Sequence, residues 1–314
     1  MNCIDQTIGD GFALYHGDCV EVTKGLPDKS IDYAIFSPPF ASLYTYSNSP
    51  RDMGNCRSDE EFFEHFGHLI EELRRVMKPG HNVSFHCMLM PTSKERDGYI
   101  GLKDFRGDLI RAFQSHGFIY ASEVCIWKDP VTAMQRTKAL GLLHKTIRGN
   151  ATMSRQGIPD YLVTMRAPGE IEERVRHYRD DKELAEVCAE EGKDIAQQAV
   201  NVLPVSEWQQ LASPVWTDIN PSDTLQCKSA REHDDERHVC PLQLQVIERG
   251  VKLWTNPGDV VFSPFAGIGS EGYASLQMGR KFVGIELKNS YYRQAAQNLI
   301  NATRQTGDLF AEVA

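Results

Sequence analysis

No apolar run in this sequence approaches the length needed to cross a bilayer, and the Met1 end lacks the charged-then-apolar pattern of an export signal. The expectation is a cytoplasmic protein without membrane contact. None of the 8 cysteines (Cys3, Cys19, Cys56, Cys87, Cys125, Cys188, Cys227, Cys240) belongs to a C-x-x-C pair. They read as reduced, mostly buried thiols, not as a disulfide frame or a zinc ribbon. Cys227, His233, His238 and Cys240 stand close in sequence, but their spacing fits no standard zinc pattern. His65 and His68 lie three apart on an expected helix with no further ligand pattern around them, so no metal is expected. Internal repeats and low-complexity segments are also missing. So is positive net charge: the chain carries −9, which argues against a nonspecific nucleic-acid binder.

What is present is ordinary for a globular protein, with 41% hydrophobic and 25% charged residues in 314. That length buries a full core in one large domain or two. Short apolar runs alternate with helix-like stretches. Leu14–Asp18, Ile31–Phe36, Asn82–Cys87, Phe118–Trp127, Tyr161–Met165, Val260–Phe262 and Lys281–Ile285 read as strands. Ser58, with Glu61 three residues on, reads as a capping box opening a helix that Lys78-Pro79-Gly80 stops. Phe105–His116, Pro241–Trp254 and Ser290 to about Ala302 read as further helices. The alternation predicts an α/β fold with a mostly parallel sheet. Ala41–Arg57 reads as a loop, and residues 170–235 break the rhythm and read as an insert.

The chemistry gathers at two turns. Ser37-Pro38-Pro39-Phe40 ends a buried strand, where neither proline can donate to a sheet ladder. A hydroxyl, a fixed carbonyl and an aromatic ring then stand at a strand's C-terminal end, where open α/β sheets place ligands. Such a corner suits a flat, amino-bearing ring. Phe265-x-Gly267-x-Gly269 lies between a strand and a helix, where glycine lets backbone approach a ligand. One strand later, Glu286 is placed to accept from two ribose hydroxyls. The turn is one glycine short of the G-x-G-x-x-G fingerprint, with Gly272 at its last position, so on this turn alone a nicotinamide-dependent oxidoreductase stays open.

The two turns together, in this order, resemble those of the S-adenosylmethionine-dependent DNA amino-methyltransferases that modify cytosine N4 or adenine N6. The order resembles the permuted beta class, as found in phages and restriction-modification systems. The resemblance implies a Rossmann-like, mostly parallel sheet with one antiparallel strand, and S-adenosylmethionine as cofactor. It implies catalysis by Ser37, Pro38, Pro39 and Phe40. It implies that Phe265, Ala266, Gly267 and Gly269 wrap the cofactor's methionine part, that Glu286 holds the ribose, and that Asp18 contacts the adenine amino group. His238 falls in a segment implied to flank the methionine carboxylate, and Trp127-Lys128 in one bordering the base pocket.

There are departures. Ser263 stands where relatives often have an acid, so Asp235 or Glu236, nearby in sequence, are candidates to replace it; the His238 segment lacks a lysine common in relatives. Cys240-Pro241 reverses the order that C5-cytosine methylation needs. A serine before the prolines leans to cytosine N4 over adenine N6, and disfavours a protein-glutamine methylase. A DNA-binding module without activity, suggested by Ser263, is the remaining alternative.

Charge is uneven. Between Val131 and Pro168 six cations (Arg136, Lys138, Lys145, Arg148, Arg155, Arg166) face one acid, Asp160, which suits phosphates. The organisation expected is a catalytic half at 1–169 with a basic loop at 131–160, a target-recognition insert at 170–235, and a cofactor half at 236–314. The partner expected is double-stranded DNA, bound by a monomer or a dimer.

Overall fold

The computed structural model describes residues 2–40, 51–131, 148, 157–173, 175, 205–226, 230 and 241–311. Eleven strands are described: β1 (Asp5–Gly9), β2 (Phe12–His16), β3 (Ile31–Phe36), β4 (Met77–Met88), β5 (Met90–Pro91), β6 (Leu102–Lys103), β7 (Ile119–Ile126), β8 (Asp160–Arg166), β9 (Val215–Trp216), β10 (Val260–Ser263) and β11 (Lys281–Glu286). The helices are α1 (Cys19–Thr23), α2 (Asp59–Val76), α3 (Lys94–Asp97), α4 (Phe105–Ser115), α5 (Val205–Leu211), α6 (Leu244–Trp254), α7 (Ser270–Gln277) and α8 (Asn289–Ala311).

Nine strands form one sheet in the order β1-β2-β11-β10-β3-β4-β8-β7-β9. The five from β2 to β4 run parallel. Inside the sheet, β8 runs antiparallel to both β4 and β7. That reversal brings the first residue of β8, Asp160, to the edge where the parallel strands end. The expected mostly parallel sheet is present, with a second reversed strand, β1, added as an edge hairpin on β2.

The central strand explains the two-sided architecture. All six residues of β3 are buried, as a strand covered on both faces requires. Ala34 and Phe36 pack on one face with Phe62, Phe66, Leu69 and Leu73 of α2 and Phe113 of α4. Tyr33 and Ile35 pack on the other with Val246, Ile247 and Val251 of α6 and Leu299 of α8.

Two local expectations are corrected. Lys78-Pro79-Gly80 follows the end of α2 at Val76, but these residues also lie inside β4, which begins at Met77 and not at Asn82. There the register shifts between Ile31 and Tyr33 of β3, making an irregular stretch that tolerates a proline without an N–H. The irregularity lets Lys78 reach Asp32 Oδ1 at 2.5 Å, while Asp32 Oδ2 accepts the Val260 N–H at 2.9 Å. A buried carboxylate thus stitches β3 to β10. In the capping box, Ser58 Oγ accepts from Glu61 N–H at 3.2 Å, but the Glu61 carboxylate accepts from Arg57 N–H at 2.6 Å, one residue before the cap. Part of the insert joins the sheet: β9 pairs with β7, and Trp127 N–H donates to the Trp216 carbonyl at 2.9 Å.

Candidate active site

The functional residues line up along one edge of the sheet because parallel neighbours end together. β10 and β3 are adjacent and in register, Val261 against Tyr33 and Phe262 against Ala34. The turn after β10 and the corner after β3 therefore begin side by side, with the rings of Phe36 and Phe265 5.8 Å apart between centroids. Next to β10, β11 ends in Glu286, and beyond it β2 leads to Asp18, where Gly17 N–H donates to the Glu286 carbonyl at 3.0 Å.

On the glycine-turn side, Gly267 (φ 53°) and Gly269 (φ 85°) adopt left-handed backbone, which other residues enter at a cost. They differ in use. A Cβ on Gly267 meets nothing within 4 Å, whereas one on Gly269 sits 3.3 Å from Ala295 of α8. Gly267 faces open space, while Gly269 lets α7 pack closely on α8. Glu286 holds the turn: Oε2 accepts from Gly267 N–H and Oε1 from Lys288 N–H, each at 2.8 Å. Part of its surface is open, yet desolvation raises its carboxyl to about 7, opposed by those backbone bonds. Asp18 caps α1, with Val20 and Glu21 N–H groups both bonding Oδ1 at 3.0 and 2.9 Å. Its Oδ2 takes no part in the cap.

Ser263 is buried, and its Oγ has no hydrogen-bond partner among the described residues. Asp235 and Glu236, considered as replacements for the acid absent there, lie outside the described residues. An acid missed in the sequence is inside them: Glu271, buried in the first turn of α7. Burial lifts it to about 8, with Glu286 adding to the rise. Its only visible signal was an acidic side chain directly after Gly269-Ser270.

On the proline side, Ser37 Oγ lies 3.2 Å from His86 Nδ1. His86 Nε2 lies 3.0 Å from Asp160 Oδ2, and Lys128 Nζ reaches the same oxygen at 2.5 Å. The His86–Asp160 approach is too oblique to the ring N–H for a straight hydrogen bond, and it pairs two charges only when the ring is protonated. Burial pushes Asp160 up, but the His86 ring and the Lys128 ammonium outweigh it and hold the carboxyl below its ordinary range. Pro38 and Pro39 are buried and Phe40 is partly buried. The Phe40 ring packs at 6.1 Å, tilted, against Phe105. Trp127, half exposed, stands beside Lys128 at the same edge.

Ser37, Pro38, Pro39, Phe40, Asp18, Phe265, Ala266, Gly267, Gly269 and Glu286 are thus gathered along one edge. His238, Arg136, Lys138, Lys145 and Arg155 lie outside the described residues; Arg148 is exposed. The donor set suits a nucleoside-bearing cation: a pinned carboxylate for hydroxyls, an open glycine turn, and a buried acid and hydroxyl beside it.

With this geometry in place, comparison with known proteins defines the class. A family model described as DNA methylase, of the N6/N4 type, matches residues 31–297. The chain belongs to that family, and is a DNA methyltransferase of the N4/N6 class with S-adenosylmethionine as cofactor.

Individual similarities are more distant. The chain is 24% identical to the type II methyltransferase M.BglII of Bacillus subtilis over 291 residues, 91% of this chain and 68% of that protein. Two solved structures share the fold. One is a DNA modification methylase of Thermus thermophilus complexed with S-adenosyl-L-methionine (TM-score 0.62, 19% identity, 92% of this chain and 95% of that one). The other is the cytosine-N4-specific PvuII DNA methyltransferase (TM-score 0.62, 15% identity, 97% and 96%).

Proposed function

We propose that this chain transfers a methyl group from S-adenosylmethionine to the exocyclic amino group of a base extruded from double-stranded DNA, with cytosine N4 as the target. The observation that carries the proposal is the juxtaposition of the proline corner and the glycine turn at the ends of neighbouring strands. A donor held over Gly267 and a base held over Phe40 then share one edge.

The cofactor supplies an already activated methyl, so the work left to the chain concerns the nucleophile. The lone pair of a base amino group is conjugated into its ring. Ser37 Oγ and the Pro38 carbonyl accept from its two N–H groups, which favours a tetrahedral nitrogen and directs its lone pair at the methyl. Phe40, braced by Phe105, offers the face on which an extruded base stacks. Catalysis is then mainly orientation and stabilisation of developing positive charge.

Glu286, Gly267 and Gly269 orient the donor, Asp18 Oδ2 takes its adenine amino group, and Glu271 takes the place of the acid absent at Ser263. The basic loop at 131–160, with Arg136, Lys138, Lys145, Arg148 and Arg155, contacts phosphates, and 170–235 reads the target. The attachment of β9 to β7 supports this, because it puts part of that segment at the catalytic end of the sheet. The expected organisation (1–169, 170–235, 236–314) stands as part of the proposal.

The test is mass spectrometry of nucleosides from unmethylated duplex DNA incubated with protein and cofactor. N4-methylcytosine, lost in Ser37→Ala, is the expected product. N6-methyladenine alone would move the target to adenine, and no product with cofactor bound would leave a DNA-binding module.

A further inference from the structure

Ser37, His86, Asp160 and Lys128 come from four different segments and meet in one line of contacts, of 3.2, 3.0 and 2.5 Å. A serine, a histidine and an aspartate in series invite a hydrolase reading. The corner rules it out: the two residues after Ser37 are prolines, without the N–H groups an oxyanion hole at that turn would need. The line does something else.

We propose that His86, oriented by Asp160 and Lys128, sets Ser37 as an acceptor and takes up the proton released in methyl transfer. This rests on the methyltransferase reading and deepens it. The Asp160 carboxylate, 3.0 Å from Nε2, is negative and cannot donate, so its charge favours the proton on that nitrogen of His86 although the approach is oblique. Nδ1 is then an acceptor and takes the Ser37 O–H. The lone pairs of Ser37 Oγ are left facing the target amine. As the N–CH3 bond forms and the C–S bond breaks, its electron pair goes to sulfur and the target nitrogen becomes cationic. One N–H proton passes to Ser37 Oγ while the Ser37 hydroxyl proton passes to His86 Nδ1. The imidazolium faces Asp160 until it gives its proton to water. Lys128 already balances Asp160, so the imidazolium is not locked into an ion pair.

The groups against His86 are Ser37, directly after β3, and Asp160 of β8, whose carboxylate also holds Lys128 from the segment after β7. The Arg106–Glu123 pair, 3.0 Å apart, acts on Cys87, the next residue of β4. His86 is here a positioning and proton-accepting residue, and it takes no part in holding the cofactor.

Two measurements on the full chain test this. Nitrogen-15 NMR of the histidine rings, with the His86 signals assigned by their loss in His86→Gln, is expected to show the Nε2–H tautomer without DNA or cofactor. Asp160→Asn is expected to shift it towards Nδ1–H. Single-turnover methyl transfer is expected to rise with pH to a plateau, because only a neutral imidazole can take up the released proton. His86→Gln is expected to slow it about 100-fold and remove that rise, with cofactor affinity by calorimetry unchanged. An Nδ1–H tautomer in the unmutated protein, or His86→Gln with an unaltered rate and pH profile, overturns the relay alone. No methyl transfer by the unmutated protein overturns the methyltransferase reading, and the relay with it.

Discussion

The two sides of the sheet edge treat buried carboxyls in opposite ways. Between β10 and β11, Glu286 and Glu271 are raised to about 7 and about 8 by desolvation. Between β4 and β7, Asp160 is at least as buried but is held down by His86 and Lys128. Among the described residues, one side leaves its acids without a countercharge; the other carries its countercharges with it. The difference fits two tasks. A site for a cationic, hydroxyl-bearing ligand gains by leaving its acceptors unsatisfied until the ligand arrives. A site that must orient a neutral amine gains by having its charges fixed beforehand.

The largest effect expected is a separation of the two sides. Ser37→Ala should lower single-turnover methyl transfer about 100- to 1,000-fold while leaving cofactor affinity unchanged by calorimetry. Glu286→Ala should do the reverse first, weakening cofactor binding about 10- to 100-fold through the loss of charge-assisted hydrogen bonds. If Ser37→Ala impaired cofactor binding as much as Glu286→Ala does, the edge would be one site and not two.

How much of this was legible follows from the same split. The glycine turn and the proline corner were readable because glycine and proline act on the backbone locally, and each leaves its mark wherever it sits. His86 and Asp160 were not, and Lys128 was placed beside the base pocket by resemblance alone, with no partner assigned. Each is an unremarkable residue near a strand end, and only the reversed direction of β8 brings Asp160 to the edge. Nothing in Tyr161–Met165 as a run of residues states its direction. β1 and β9 were also missed. At β1 most of the five residues are exposed, and β9 has only two, so no apolar run or alternation marks them. The start of β4 was misread for a different reason. Stop signals for a helix and residues that interrupt a strand ladder are the same residues, and only the register of β3 against β4 tells them apart.

The seam between the sides is Asp32. Removing a buried carboxylate that accepts from both Lys78 and the Val260 N–H leaves the backbone donor without its partner, while the Lys78 ammonium, 38% exposed, turns to water. Asp32→Ala should cost about 1–3 kcal/mol in urea unfolding. A cost near zero would mean that β3 and β10 are held by packing alone. The two glycines sharpen the contrast on a smaller scale. Gly269→Ala forces a left-handed alanine against Ala295 and should cost about 1–2 kcal/mol. Gly267→Ala bears the same backbone strain without the contact, so its stability loss should be smaller and its loss of cofactor affinity larger. Equal effects in both assays would remove the distinction drawn from their surroundings.

The smallest effect is in pH dependence, and its sign differs between the sides. Glu271 and Glu286 have folded values above their ordinary one, so between about pH 5 and pH 8 the folded chain keeps protons that the unfolded chain has released. Their stabilisation is complete at the acid end and is lost as pH rises through about 7 and about 8. Asp160 is depressed, so its contribution is present above the ordinary carboxylate range and is lost as pH falls through its folded value. The cofactor-free protein should therefore show a Tm that declines from about pH 5 to pH 8. Glu271→Gln, which mimics the protonated acid, should flatten the upper part of that decline. Asp160→Asn should leave the decline in place and remove only the loss on the acid side. A Tm indifferent to Glu271→Gln across this range would mean that the carboxyl is already ionised in the free protein, and the two sides would then no longer differ in how their charge is compensated.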